Sequence, residues 1–194
     1  MSIRAPFVAL LLALPLLAAP AAARVYITQA DVLRQAFPEP QKIERHVLYL
    51  DDAQAGRAGE RAGAAVEARV IPYYLGLTGQ QIEGYAYFDT HLVRTLPQTV
   101  MILLSPEGRI RAIEIVSFDE PEDYLPGARW LAQFEGVEDD GALAPGGRIH
   151  ALTGATLSAR AVTAAARRVL AVHGLFVAPK PVEAGMTTPG GGGS

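Results

Sequence analysis

A cluster of hydroxyl residues lies directly before an alanine-rich segment near the C-terminal end of the chain. Its hydroxyl residues are Thr153, Thr156 and Ser158, and the whole segment comprises Thr153, Gly154, Ala155, Thr156, Leu157 and Ser158. Apolar residues then recur four apart, which is the spacing of one helix face: Leu157, Ala161, Ala165 and Val169. The sequence therefore predicts a helix whose N-cap is Thr156 or Ser158. Because a helix start exposes unpaired N–H groups and the positive end of the helix dipole, it is a natural place for a phosphate group.

The string Thr153-Gly154-Ala155-Thr156, followed by Leu157-Ser158, resembles the (Ser/Thr)-Gly-Ala-Thr motif of the FMN-binding domain family. That domain occurs in the flavin-bearing subunits of Rnf and sodium-translocating NADH:quinone oxidoreductase complexes, and in small exported flavoproteins. In the family, a flavin transferase esterifies the last threonine of the motif to the FMN phosphate. The resemblance therefore implies FMN as the cofactor, Thr156 as its attachment residue and a flavin transferase as a partner. The chain departs from the family pattern at His150, where the family usually has an aspartate.

The hydroxyl cluster has an alternative interpretation without a ligand. In the FMN interpretation, Thr153 and Ser158 add hydroxyl donors to the phosphate that Thr156 bears. In the alternative, a Thr-Gly-Ala-Thr string is only a turn followed by a helix cap, and both hydroxyls serve that local structure.

Two upstream segments are candidates for contacts with the flavin ring. The aromatic residues Tyr124, Trp130 and Phe134 are suited to an apolar slot, although buried core is the common fate of such residues. The segment that follows a predicted strand contains three polar candidates: His91, Arg94 and Thr95. We expect Arg94 to stabilise the negative charge of the reduced ring and His91 to hydrogen-bond the ring or the phosphate. The alternative for Arg94 is an exposed loop arginine paired with Asp89.

The elements that must position these residues are strands in close succession with helices outside them. β-branched and aromatic runs predict strands at 43–50, 70–77, 81–89, 99–104 and 109–118, and a shift of face in the last run indicates a bulge. Helices are expected at 30–37, at 51–69, around Trp130 and after the hydroxyl cluster. This order favours an α+β domain, an antiparallel sheet flanked by helices, which is also what the FMN-binding resemblance implies.

Composition sets the compartment and excludes several function classes. Residues 1–23 resemble a cleaved signal peptide, with an uncleaved membrane anchor as the alternative. The resemblance then implies an FMN-binding domain over residues 24–177, and we expect 178–194 to be a disordered Pro/Gly-rich tail. Removing 1–23 takes away Arg4 and no acid, which leaves 16 basic against 20 acidic residues and argues against a nucleic-acid partner. The chain has no cysteine, and its four histidines share no metal-ligand spacing.

These observations together predict an exported, periplasmic or otherwise extracytoplasmic flavoprotein that relays electrons. Its expected partners are membrane-bound or periplasmic redox proteins, either a quinone-linked oxidoreductase or a cytochrome. Two alternatives remain open at this point. One is a non-redox extracytoplasmic binding or assembly module, and the other is a flavin reductase that acts on a small substrate.

Overall fold

The computed structural model describes residues 26–38, 42–139, 143 and 147–178. The predicted signal peptide (1–23) lies outside these residues, as does the predicted tail apart from Ala178. Within the described part of the chain, no helix has both the length and the apolar character needed to cross a membrane.

A single five-stranded antiparallel sheet forms the centre of the domain. Its strands are β1 (Lys42–Tyr49), β2 (Val70–Thr78), β3 (Gln81–Leu92), β4 (Pro97–Leu104) and β5 (Ile110–Phe118). Their spatial order is β1-β2-β3-β4-β5, so each strand lies beside its neighbours in sequence. The predicted antiparallel α+β fold is therefore confirmed.

Four α-helices surround this sheet in the described part of the chain. They are α1 (Gln29–Ala36), α2 (Asp52–Ala62), α3 (Ala128–Leu131) and α4 (Thr156–Val172). The predicted helix over 51–69 is too long, because Gly63 ends α2 in a left-handed conformation with a φ of 55°. Glycine adopts this conformation without the Cβ clash of other residues, so it is a common helix terminator.

Alternating side chains of the sheet build two apolar layers. On one face, Tyr85 and Tyr87 of β3 join the core that α4 covers, and on the other face Ala86 packs towards α1. The predicted bulge in β5 is confirmed and occurs twice: the pairing with β4 skips Arg111 and Val116. Each skipped residue shifts the alternation by one, which is why the apolar pattern of β5 changes face.

Helix α4 covers the sheet with a face slightly different from the predicted stripe. Ala165 and Val169 are buried as the spacing predicts, but Leu157 is 42% exposed at the start of the helix.

An ion pair also joins α4 to the sheet. Arg168 donates two hydrogen bonds to the Asp89 carboxylate of β3, at 2.9 and 2.6 Å. This partly buried ion pair fixes the helix against the sheet.

His173 follows α4 and is buried against the tyrosines of β3. Its Nδ1 lies 2.9 Å from the Tyr87 hydroxyl, and its ring centroid lies 4.6 Å from that of Tyr85, edge to face. Burial lowers the pKa of His173 from 6.5 to about 4. The native fold therefore holds this histidine neutral at a pH where an unfolded chain would already bind a proton.

The first prediction concerns the pH dependence of stability. Between pH 6.5 and about 4 the unfolded chain binds one proton more than the native chain at His173, so the free energy of unfolding falls as the pH is lowered through this range. One such proton changes that free energy by at most about 1.4 kcal/mol per pH unit. Urea denaturation at both ends of the range measures the slope. His173→Gln is expected to flatten it and the exposed His150→Gln to preserve it; an unchanged slope in His173→Gln would refute the assignment.

Candidate functional site

A tight turn leads the chain into α4. The Ala155 N–H donates to the Leu152 carbonyl at 3.3 Å, and Gly154 between them has a φ of 85°. An L side chain is strained at this φ, because its Cβ approaches the neighbouring carbonyl oxygen. Gly154 therefore determines the shape of the turn that presents Thr156.

The segment before this turn is fixed to α3 through its backbone. The Trp130 indole N–H donates to the His150 carbonyl at 2.8 Å, and the His150 N–H donates to the Gln133 side-chain oxygen at 2.9 Å. Trp130 is buried, and its ring packs edge to face against that of Phe134 at 5.2 Å. Buried Trp130 therefore fixes the backbone of His150, four residues before Gly154.

The N-terminus of α4 has no side-chain cap. Ala155 occupies the N-cap position, so the prediction that Thr156 or Ser158 is the N-cap is wrong. The turn at Gly154 brings the chain into the helix one residue earlier than a Thr156 cap requires. The Ala159 N–H bonds to the Ala155 carbonyl. The amides of residues 156–158, which precede it in the first turn, have no backbone partner among the described residues.

A second donor without a partner lies at the same place. The Ser158 side chain is 1% exposed, and its Oγ has no hydrogen-bond partner among the residues that the structure describes. A buried hydroxyl without a partner costs about 1–3 kcal/mol, so it usually marks a ligand or an ordered water. Ser158 lines a cavity of about 140 Å³ at the start of α4, which we name the α4 cavity. Its walls are formed by Val93, Arg94, Glu120, Tyr124 and residues 154–158.

The opposite wall of the α4 cavity comes from the β3–β4 hairpin and from the segment after β5. The Arg94 guanidinium carbon lies 4.6 Å from the centre of the Tyr124 ring, a cation–π contact that holds the arginine over the cavity. Beside it, Glu120 is only 8% exposed and accepts the Thr95 N–H at 3.4 Å. The cavity thus combines outward-pointing helix amides, one arginine and one carboxylate.

A larger opening, which we name the sheet cleft, lies at the unpaired ends of β2 and β3. Strands β2 and β3 stop pairing after Tyr73 and Tyr87, and the space between their separated ends has a volume of about 560 Å³. Its polar side chains include Asp89, His91 and Arg168. Burial alone would raise the pKa of Asp89, but hydrogen bonds from His91 and Arg168 outweigh it and hold this pKa below its usual value.

The structure brings together part of the residue set proposed from sequence. Arg94, Tyr124 and residues 154–158 line the α4 cavity, Thr95 contacts it through Glu120, and Thr153 is exposed in the adjoining turn. His91 instead lies in the sheet cleft, where Nδ1 is 2.8 Å from Asp89 and Nε2 is 3.2 Å from the Gln98 side-chain oxygen. Trp130 and Phe134 belong to the core and line neither opening.

Two functional features were missed by sequence reasoning. Glu120 is one of four acidic residues in the run 119–123, and nothing in that run indicates which carboxylate is buried. Asp89 pairs with Arg168 rather than with Arg94, a contact across 79 residues that no local pattern reveals.

Comparison with known families identifies the domain that contains this site. The family model of the FMN-binding domain matches residues 96–171, which run from the start of β4 to the end of α4 and include the hydroxyl cluster. This match over residues 96–171 supports a flavin-binding protein. No curated protein matches the chain. This flavin-binding assignment agrees with the resemblance that the motif around Thr156 carries.

The α4 cavity fits the phosphate end of FMN. Three helix amides, the Ser158 hydroxyl and the Arg94 guanidinium supply donors and positive charge around a space several times the roughly 30 Å³ share of one water molecule. Thr156 is exposed at the rim of this space. The volume of about 140 Å³ suits a phosphate group rather than the whole flavin.

The second prediction tests the turn that presents Thr156. Gly154→Ala is expected to lower the free energy of unfolding by about 1–2 kcal/mol, because alanine is strained at a φ of 85°. Gly56→Ala is a matched control, since Gly56 lies in α2 and a Cβ added there would meet nothing within 4 Å, so alanine should raise stability. Urea denaturation compares the two variants. Equal changes would show that the turn does not depend on glycine.

Proposed function

We propose that this chain is an exported electron-transfer flavoprotein that carries one FMN esterified to Thr156. The observation that carries the proposal is the buried Ser158 hydroxyl, which lacks a partner within the described residues and belongs to a residue that lines the α4 cavity together with residues 154–157. A phosphate ester on Thr156 would lie at the mouth of this cavity. It would satisfy the Ser158 hydroxyl and the helix amides together.

Thr156 is well placed to be the attachment residue. Its side chain is exposed, and its hydroxyl donates a long hydrogen bond of 3.4 Å to the Leu152 carbonyl. Such a bond is weak, so the hydroxyl is available to a transferase that approaches from solvent. We expect the donor to be a flavin dinucleotide and the external transferase to supply the catalytic groups.

The ester phosphate would be stabilised by the surrounding residues of this chain. The first turn of α4 contributes roughly 0.3–1 kcal/mol for an exposed anion and up to about 2 kcal/mol for a partly buried one. The Ser158 hydroxyl adds a buried hydrogen bond, and Arg94, held by the Tyr124 ring, adds a positive charge. Covalent attachment then prevents loss of the cofactor in a compartment where free flavin is dilute.

Electron transfer is the chemistry that bound FMN supplies, and the side chains of a chain without cysteine offer little of it themselves. A flavin attached to Thr156 would have its ring close to the surface. Leu157, the next residue, is 42% exposed, and Val93 and Tyr124 line the cavity on the opposite side. An exposed flavin suits exchange with a protein partner, such as a membrane-bound quinone-linked oxidoreductase or a cytochrome, and the acidic chain would dock to a basic face in a salt-dependent way.

The third prediction locates the attachment. When the chain is coexpressed with a flavin transferase, intact-mass spectrometry is expected to show one FMN adduct that survives denaturation. Thr156→Ala should abolish the adduct because it removes the oxygen that forms the ester. Thr153→Ala is the matched control, because it removes an exposed threonine of the same turn and should load normally. An adduct that persists in Thr156→Ala would contradict the proposal.

A second candidate, a flavin reductase for a small substrate, is favoured by the sheet cleft. Its volume of about 560 Å³ falls in the range of small-molecule sites, roughly 300–1,000 Å³.

The fourth prediction separates the two functions. As an electron carrier, the loaded protein should show negligible steady-state turnover with small acceptors unless a protein partner is present. Ala68 lines the sheet cleft, so Ala68→Trp should fill part of its volume. Sustained turnover with small acceptors that this substitution abolishes would favour the reductase instead.

A further inference from the structure

Glu120 places a carboxylate inside the cavity that we assign to a phosphate. The residue follows β5, is 8% exposed and lines the α4 cavity together with Arg94 and Ser158. Its Oε1 accepts the Thr95 N–H at 3.4 Å, a long and therefore weak hydrogen bond. A buried negative charge at an anion site works against binding, so its position calls for an explanation beyond packing.

The charge of the phosphate differs between free and attached FMN. A free phosphate monoester carries about −1.5 to −2 at neutral pH, because its second ionisation has a pKa of about 6. Esterification to a hydroxyl removes that second ionisation and leaves a diester with a single negative charge. A carboxylate in the α4 cavity therefore repels the free form about twice as strongly as the attached form.

We propose that Glu120 is a specificity residue that selects the esterified phosphate over free phosphate monoesters. This inference rests on the proposed function, in which Thr156 bears the ester. Arg94 (+1), the start of α4 (about +0.5) and Glu120 (−1) together give the cavity a net charge of about +0.5. A singly charged diester changes this to about −0.5 and a doubly charged monoester to about −1.5, so free FMN and inorganic phosphate are disfavoured at Thr156 until the transferase acts.

Binding of free FMN to chain purified from cells that lack the transferase tests this selection. Glu120→Gln keeps the size of the side chain and its acceptor for Thr95 but removes the charge. Quenching of FMN fluorescence is expected to show binding about tenfold or more tighter in this variant than in the wild type. Asp123→Asn is the matched control, because it makes the same change in net charge at an exposed residue that does not line the cavity.

Two further arms attribute the effect to the phosphate. Riboflavin, which has no phosphate, should bind Glu120→Gln and the wild type equally. Lowering the pH below about 6, where the monoester loses its second charge, should tighten FMN binding to the wild type more than to Glu120→Gln. A gain for FMN that is absent for riboflavin and absent in Asp123→Asn supports the inference.

Several outcomes would overturn it. They are equal FMN affinities of the wild type and Glu120→Gln, no measurable binding by either protein, an equal gain in Asp123→Asn, or an equal gain for riboflavin. The intact mass of transferase-treated wild type is measured in parallel. A missing adduct on Thr156 would remove the proposed function, whereas a normal adduct with no effect of Glu120→Gln on free FMN would remove this inference alone.

Discussion

The structure of the candidate site depends on hydrogen-bond donors that the described part of the chain does not satisfy by itself. Helix α4 begins at Thr156 with Ala155 as its N-cap and no side-chain cap among the described residues, and the buried Ser158 hydroxyl in its first turn has no partner there. By contrast, α1 is capped by Thr28 and α2 by a capping box on Asp51. Because the start of α4 has no such cap, its unsatisfied donors lower the stability of the fold. A bound anion would offset this free-energy cost. This is the physical reason to assign the FMN phosphate to the start of α4.

The rest of the domain holds that helix start in place. The two donors of Arg168 on Asp89 fix α4 to the sheet, and the Trp130 indole fixes the backbone of His150 to α3. The β3–β4 hairpin then carries Arg94 to the cavity, where the Tyr124 ring holds it. Rigid elements thus bring a helix end, a hairpin tip and a loop to one point. Preorganised donors of this kind bind an anion without first having to be ordered.

Sequence reasoning predicted what depends on local patterns. The spacing of apolar residues predicted α4, and the β-branched and aromatic runs predicted an antiparallel sheet. The motif around Thr156 resembled the family whose model matches residues 96–171. Features set by distant contacts could not be obtained in this way. Trp130 and Phe134 were interpreted as a flavin slot because aromatic residues serve slots and cores alike, and the structure places them in the core. Glu120 gave no signal, since burial of one carboxylate among several is decided by how the segment after β5 folds back over the helix start.

The central claim is that FMN is bonded to this chain at the first residue of α4. The most direct measurement is tandem mass spectrometry of the protein isolated from its own cells and digested with a protease. The account predicts that the peptide containing Thr156 carries the mass of FMN less one water, with the modification assigned to Thr156 itself. The same peptide recovered unmodified, or a flavin bonded to a residue outside the α4 cavity, would contradict it.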